Sequence, residues 1–537
     1  MNKPSPMSRR TFLRLVGSAG ALVAVGGLPG ALAACIPAAA QSDRSESSVD
    51  LSGASALDEV ELSLRATPTE TPILPGKATR TWSYRGEVLS GNANAIEHIP
   101  GSYLGPILRL RRGQKVRIRF TNELDQPSII HWHGLHVPEE ADGHPRLAID
   151  PGETYTYEFT VHNRAGTYWY HPHPHGQTGP QVYNGLAGLL LVSDDEEQAA
   201  GLPSGDYDVP LVLQDRTLDG NNQFVYLRNR MEQMMGFLGD RILVNGQPDY
   251  VLPVATRAYR LRLLNGSNSR TYKLAWHDGT PLTVIATDGG LLERPVQRDY
   301  VMLSPGERVE LWADFQGRDV GTELRLQSHP FFGGEVSGMT GGGGMTRIDS
   351  EAALPNGSEF TVLHVRVDRV YIDREASETS TLPERLSEPR FDRPEDAVNR
   401  RRPRTFAIEM QRMLWFLNGR MFEMEEVARD EVVRLGDLEQ WEFINQGGAM
   451  VMAHPMHIHN VQFQVIERQV LPQLSDIWDE VRAGYVDDGW KDTVLVMPGE
   501  RVKVLLKFED YEGLYLYHCH NLEHEDQGMM RNYRVKA

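Results

Sequence analysis

One framework occurs three times in this chain and limits its fold more than any other feature. Pro151-Gly152-Glu153, Pro305-Gly306-Glu307 and Pro498-Gly499-Glu500 each stand ahead of an alternating run. His171 lies 20 residues beyond Pro151, and His518 lies 20 beyond Pro498. His131 lies 9 beyond Asn122, and His454 lies 9 beyond Asn445. A pattern that returns at fixed spacing marks a repeated folded unit. Runs such as Lys115-Val-Arg-Ile-Arg-Phe120 and Thr154-Tyr-Thr-Tyr-Glu-Phe159 alternate with period two between Gly, Pro and Asn turns, and helix signals are sparse. That is the signature of an all-β chain built from sandwiches. In the middle unit the same offsets fall on Arg325 and Leu274, so this unit is expected to be a spacer without metal ligands.

Ten of the 18 histidines fall in four clusters: His131/His133, His171/His173, His454/His457/His459 and His518/His520/His524. Tyr515-Leu-Tyr-His-Cys-His520 reads as a strand, whose side chains alternate faces, so His518 and His520 point one way and Cys519 the other. One strand then serves two metal centres. A thiolate, two imidazoles and a distant thioether tune copper for electron transfer. Cys519, His524 and Met529 offer three of these, and His454, His457 and His459 are the candidates for the fourth. Zinc suits a Cys/His set too, but it is redox-inert and would leave the other eight histidines unexplained.

The segments HWHG at 131, HPH at 171, HPMHIH at 454 and HCHNLEHEDQGM at 518 resemble, in order, the four copper motifs of the multicopper oxidases. The resemblance runs from about residue 75 to the C-terminus. It implies three consecutive cupredoxin-like Greek-key β-sandwich domains with a copper cluster built between the first and third. It also implies four copper ions. Type 1 copper would take Cys519, His454 and His524, with Met529 as weak axial ligand. Type 2 would take His131 and His457, and the type 3 pair would take His133, His171, His173, His459, His518 and His520. Asp142 and Glu525 match family positions that carry protons. His175, His136 and His144 are read as surface or supporting histidines, not ligands.

The start, Met7-Ser-Arg-Arg-Thr-Phe-Leu-Arg14 before a Gly- and Ala-rich apolar run, has the pattern of a twin-arginine export signal; a membrane anchor is the competing reading. Leu32-Ala-Ala-Cys35 looks like a lipobox, which would tether the protein to a membrane at Cys35 in the periplasm or at the cell surface. Ordinary signal cleavage nearby is the alternative. Residues 1–35 are therefore taken as the signal and 36–70 as a flexible tether rich in Ser, Ala, Thr, Glu and Pro. Domain 1 is placed at 71–200, domain 2 at 201–350, a linker at 351–404 and domain 3 at 405–537. A net charge of −18 argues against a nucleic-acid partner. The chain is expected to act as a monomer.

The implied activity is a laccase-like oxidase that reduces dioxygen to two waters with electrons from a phenolic or metal-ion reductant. Trp490-Lys-Asp-Thr-Val, Arg262-Leu-Leu-Asn-Gly-Ser-Asn-Ser-Arg270 and Leu-Glu-His-Glu-Asp-Gln-Gly-Met-Met530 are similar to segments of the bacterial copper-efflux oxidases. Those enzymes carry a methionine-rich insertion before the third domain, whereas residues 350–405 here hold no methionine. Met452 matches a methionine of their cuprous site, but Met450 stands where that site has an acid. Phenols are therefore the expected substrate. Oxidation of cuprous or ferrous ion is the alternative, served by Met231, Met234 and Met235 or by Met339 and Met345, which otherwise only pack. A non-catalytic copper-binding protein and a copper nitrite reductase are further alternatives on related folds. The first usually lacks ligands, and the second has no use for a type 3 pair.

Overall fold

A computed structural model describes residues 59–336, 346–347, 354–372, 381–446 and 450–537. The signal, Cys35, Met339 and Met345 lie outside them. The described chain forms three double-sheeted sandwiches within one compact unit.

Each sandwich is built on the same plan. Its first strand lies parallel to an inner strand that ends in asparagine: Glu59–Thr71 beside Lys115–Asn122, Asp208–Arg216 beside Ala258–Asn265, and Arg404–Gln411 beside Leu438–Asn445. The strand after each Pro-Gly-Glu returns antiparallel to that inner strand. The physical basis of the sequence repeat is now visible. In each turn the glutamate N–H donates to a carbonyl three residues back, of Asp150, Ser304 and Met497. The glutamate carboxylate in turn accepts the N–H of the same three residues. Proline and then a glycine at φ +85°, +83° and +73° suit the two central positions of such a turn. The asparagine side chain ties the inner strand to this turn, donating to the carbonyls of Ile149, Leu303 and Val496 at 3.1, 2.9 and 3.2 Å. Alternate residues fill the cores, as in Val116, Ile118 and Phe120 of the first sandwich.

Two boundaries differ from those expected. Strand Glu59–Thr71 belongs to the first sandwich, with Val60, Leu62, Leu64 and Ala66 fully buried, so residues 59–70 are not tether. Their period-two pattern is a strand signal, and the polar residues between outweighed it in the compositional reading. Likewise Phe360–Arg369 pairs with Val251–Ala255 and Glu323–Ser328 of the middle sandwich. The middle domain therefore extends past 350, and the linker begins after this strand.

Candidate metal centre

Backbone pairing brings the histidine clusters together. In the first sandwich Ile130–His133 lies antiparallel to Gly166–Pro172, with His131 opposite His171. In the third, His454–Ile458 lies antiparallel to Gly513–Cys519, with His457 opposite His518 and Met456 opposite Cys519. All ten clustered histidines and Cys519 are fully buried. They form four three-residue sets whose donor atoms lie within 4.8 Å of one another: His131/His133/His457, His133/His171/His520, His173/His459/His518 and His454/Cys519/His524. His518 and His520 thus serve two imidazole sets while Cys519 serves the sulfur set on the other face, as the alternation requires.

In the sulfur set, Cys519 Sγ lies 3.5 Å from His454 Nδ1 and 3.6 Å from His524 Nδ1. His524 turns its other nitrogen outward, Nε2–H donating to the Met234 carbonyl at 2.9 Å. Trp415 packs against both rings, with centroids 4.4 and 5.1 Å away. It donates its Nε1–H to the same carbonyl at 3.0 Å. Met529 is fully buried in the same core cluster as Cys519, and its carbonyl accepts the Cys519 N–H at 3.1 Å.

The imidazole sets carry a signature of cation binding. His131 donates Nδ1–H to the Asp142 carbonyl at 2.7 Å, and His457 donates Nδ1–H to the Asp492 carbonyl at 2.8 Å. A carbonyl only accepts, so each neutral ring keeps a bare lone pair on Nε2. Those two nitrogens face each other at 3.4 Å. The same holds for His518, whose Nδ1–H goes to the Cys519 carbonyl. Its Nε2 lies 3.1 Å from that of His459 and 3.5 Å from that of His173. His171 Nε2, His173 Nδ1, His133 Nδ1 and both nitrogens of His520 are buried without a hydrogen bond. Converging bare lone pairs in a dry site repel unless a cation lies among them.

Burial reinforces this. It lowers the pKa of every one of these histidines, to about 3 for His171 and His524 and about 4 for His518, so each is a neutral ligand at physiological pH. Burial also pushes the Cys519 thiol well above its usual range, so its thiolate needs a metal beside it. The residues fit metal ions, and the sulfur set fits copper.

Both expected proton carriers touch the imidazole sets. Asp142 Oδ2 lies 2.9 Å from His459 Nδ1, and its Oδ1 makes no hydrogen bond. Glu525 approaches His173 at 3.5 Å and His518 Nδ1 at 3.2 Å. Burial raises both carboxyls well above the usual range, with Glu139 adding to the shift of Asp142 and Asp526 to that of Glu525. His175 is exposed against Phe422, His136 meets Asp510 at 3.0 Å, and His144 is a buried partner of Asn532 at 2.8 Å. None of these three joins the sets.

The middle sandwich is more than a spacer. It holds no ligand of these sets, yet Met234 orients His524. Gly306 also packs so closely on His520 that a Cβ there would lie 2.9 Å from the ring. Asp492 and Trp415, in contact with four histidines of the sets between them, carry no motif of their own. Asp492 does lie inside the Trp-Lys-Asp-Thr-Val segment, the one trace of it in the sequence.

A multicopper oxidase family model matches residues 81–197, and a second of the same description matches 397–537. The chain is 31% identical over 451 residues to multicopper oxidase mco of Staphylococcus aureus, covering 84% of this chain and 86% of that one. It is 30% identical over 482 residues to a laccase of Bacillus stratosphericus, covering 80% and 89%. The crystal structure of McoA multicopper oxidase from the hyperthermophile Aquifex aeolicus superposes with a TM-score of 0.73 at 36% identity, covering 89% of this chain and 96% of that one. The chain belongs to the multicopper oxidase family, whose cofactor is copper.

Proposed function

We propose that this protein is a four-copper oxidase of laccase type, taking electrons singly from a phenolic reductant and delivering four to dioxygen. The observation that supports it is completeness: every donor of one sulfur set and three imidazole sets is present, buried and turned inward. A non-catalytic copper binder has no need of all of them. His454, Cys519 and His524, with Met529, would hold type 1 copper, His131 and His457 type 2, and the remaining six histidines the type 3 pair. Copper so held would supply one-electron oxidation at the sulfur set and dioxygen reduction at the imidazole cluster.

The chain's own residues account for the rest. Cys519 is joined by peptide bonds to His518 and His520, a short covalent link between the sites. Asp142 and Glu525, buried against His459, His173 and His518, hold protons beside the cluster. The surrounding core excludes water.

A second reading, oxidation of cuprous ion, draws support from the helical turn Arg230–Met235. It packs on Leu522–Asp526, the turn that carries His524, and Met231 within it is 37% exposed, and a thioether suits cuprous ion. Oxygen consumption by copper-loaded protein, with a phenol and with cuprous ion held by a weak chelator, decides between them. Phenol turnover without added copper supports the laccase reading. Fast cuprous turnover, with phenols needing extra copper, overturns it.

The export signal and lipobox support export by the twin-arginine route and a lipid tether at Cys35. The mass of the mature N-terminus tests this.

A further inference from the structure

Arg308, in the strand that follows the middle Pro-Gly-Glu turn, uses all five N–H groups of its guanidinium, and they reach all three sandwiches. Nε donates to the carbonyl of Thr167, in the first-sandwich strand that carries His171, at 2.9 Å. Nη1 donates to the Gly306 carbonyl at 3.0 Å and to Asp492 Oδ1 at 2.7 Å. Nη2 donates to the Asp288 carbonyl at 3.0 Å and to Asp492 Oδ2 at 2.5 Å. Asp288, also of the middle sandwich, steadies both partners. Its Oδ1 accepts the Arg308 N–H at 2.8 Å, and its Oδ2 lies 3.1 Å from the Lys491 ammonium. The same Oδ2 accepts the Asp492 and Thr493 N–H groups at 3.3 and 3.4 Å.

What Arg308 grips is the segment that aims two ligands. Asp492 Oδ1 accepts His133 Nε2–H at 3.0 Å, leaving His133 Nδ1 facing inward without a hydrogen bond. The Asp492 carbonyl fixes His457, and the rings of His133 and His457 stack at 3.7 Å. The packing leaves no slack: a Cβ on Gly134, directly after His133, would lie 2.5 Å from Asp492 Oδ2 and 2.8 Å from Arg308 Nη2.

We infer that Arg308 is a positioning residue of the imidazole cluster, supplied by the domain that contributes no ligand to it. The inference rests on the copper-oxidase reading above. A planar fork holds both carboxylate oxygens while reaching carbonyls on either side, which a lysine ammonium, a single point of charge, does not. Without that grip the Asp492 carboxylate turns, the His133 ring follows, and the set His133/His171/His520 loses a donor. Removing a partner that orients a ligand costs about 10–100-fold in metal affinity.

The test compares wild-type holoenzyme with Arg308→Lys and Gly134→Ala, read by copper per chain, the blue absorption of the sulfur set and the near-ultraviolet type 3 band. Arg308→Lys is expected to keep its blue absorption per chain and to lose the near-ultraviolet band and the matching copper at concentrations that fill the wild type. Gly134→Ala keeps every charge and crowds the pair, and a weaker band with intact blue absorption is expected. If Arg308→Lys does not fold, Arg308→Gln, which keeps a planar donor without the charge, is read in its place, because Gly134 lies at φ +89° and an alanine there strains the backbone as well as crowding the pair. A wild-type band in the folded variants overturns the positioning role while the copper-oxidase reading stands. A wild type that never shows the band removes that reading and the inference together.

Discussion

His524 donates its Nε2–H to the backbone carbonyl of Met234, 2.9 Å away, so a turn of the middle sandwich sets the orientation of a ring in the third. The same oxygen accepts Trp415 Nε1–H at 3.0 Å, and Trp415 also lies against His454. Trp415→Phe keeps an aromatic face but drops that hydrogen bond. A shifted blue absorption maximum is expected, with a stability loss of about 1–2 kcal/mol for the broken buried bond and the smaller ring. Visible spectra and urea unfolding check it. An unchanged spectrum would mean that the carbonyl is held without the indole.

Met529 is fully buried in the Cys519 cluster. If it is the weak axial donor proposed above, its thioether would stabilise the oxidised metal, and an apolar side chain of similar volume would favour the reduced form. Met529→Leu is expected to keep the blue absorption and to raise the type 1 potential, measured by redox titration. No rise would remove Met529 from the ligand set.

Asp142 contacts His131 and His459, and Glu525 contacts His173 and His518, so the two carboxyls lie against the imidazole cluster from both sides. Asp142→Asn and Glu525→Gln keep the shape and remove the exchangeable carboxyl proton. Steady-state oxygen consumption should fall about 100-fold or more, the scale of a lost acid–base group. Anaerobic bleaching of the blue absorption by substrate should keep its rate. Slowing of that bleaching by the same factor would move both residues from proton delivery to a general structural role.

The donors were legible because each strand carries its ligands at fixed offsets, so His131, His171, His454 and His518 can be found by counting from Asn and Pro. What orients them was not legible. Arg308 lies 184 residues from Asp492, and Met234 lies 290 from His524; no local period links such pairs. The repeat also misdirected one expectation. The middle unit keeps the turn without ligands, which suggested a spacer, yet the Gly306 that makes the turn possible is the residue packed on His520. Strand Glu59–Thr71 was missed for a different reason. Its buried Val60, Leu62 and Leu64 alternate with Glu61, Ser63 and Arg65, and composition averages that alternation away.

The first and middle sandwiches are joined by a buried ionic network that should make the enzyme acid-sensitive. Glu310 takes Arg260 Nε at 2.6 Å, Arg262 Nη1 at 2.9 Å and the Thr167 hydroxyl of the first sandwich at 2.7 Å, while Arg262 also pairs with Asp208. Burial alone would raise both carboxyls. Arg260 and Arg262 outweigh it and hold Glu310 and Asp208 below the usual carboxylate range. A carboxyl with a depressed folded-state pKa stabilises the fold above its unfolded value of about 4, and that contribution is lost as pH falls through the folded value. Unfolding free energy should therefore drop below about pH 4. Glu310→Gln leaves two buried guanidinium groups short of an anion and should cost about 3–5 kcal/mol at neutral pH. Its stability should also fall less steeply than wild type in the acid window, because one of the titrating groups is gone. Denaturant unfolding at a series of pH values reads both effects. Parallel acid profiles for the two proteins would show that acid sensitivity arises elsewhere in the fold.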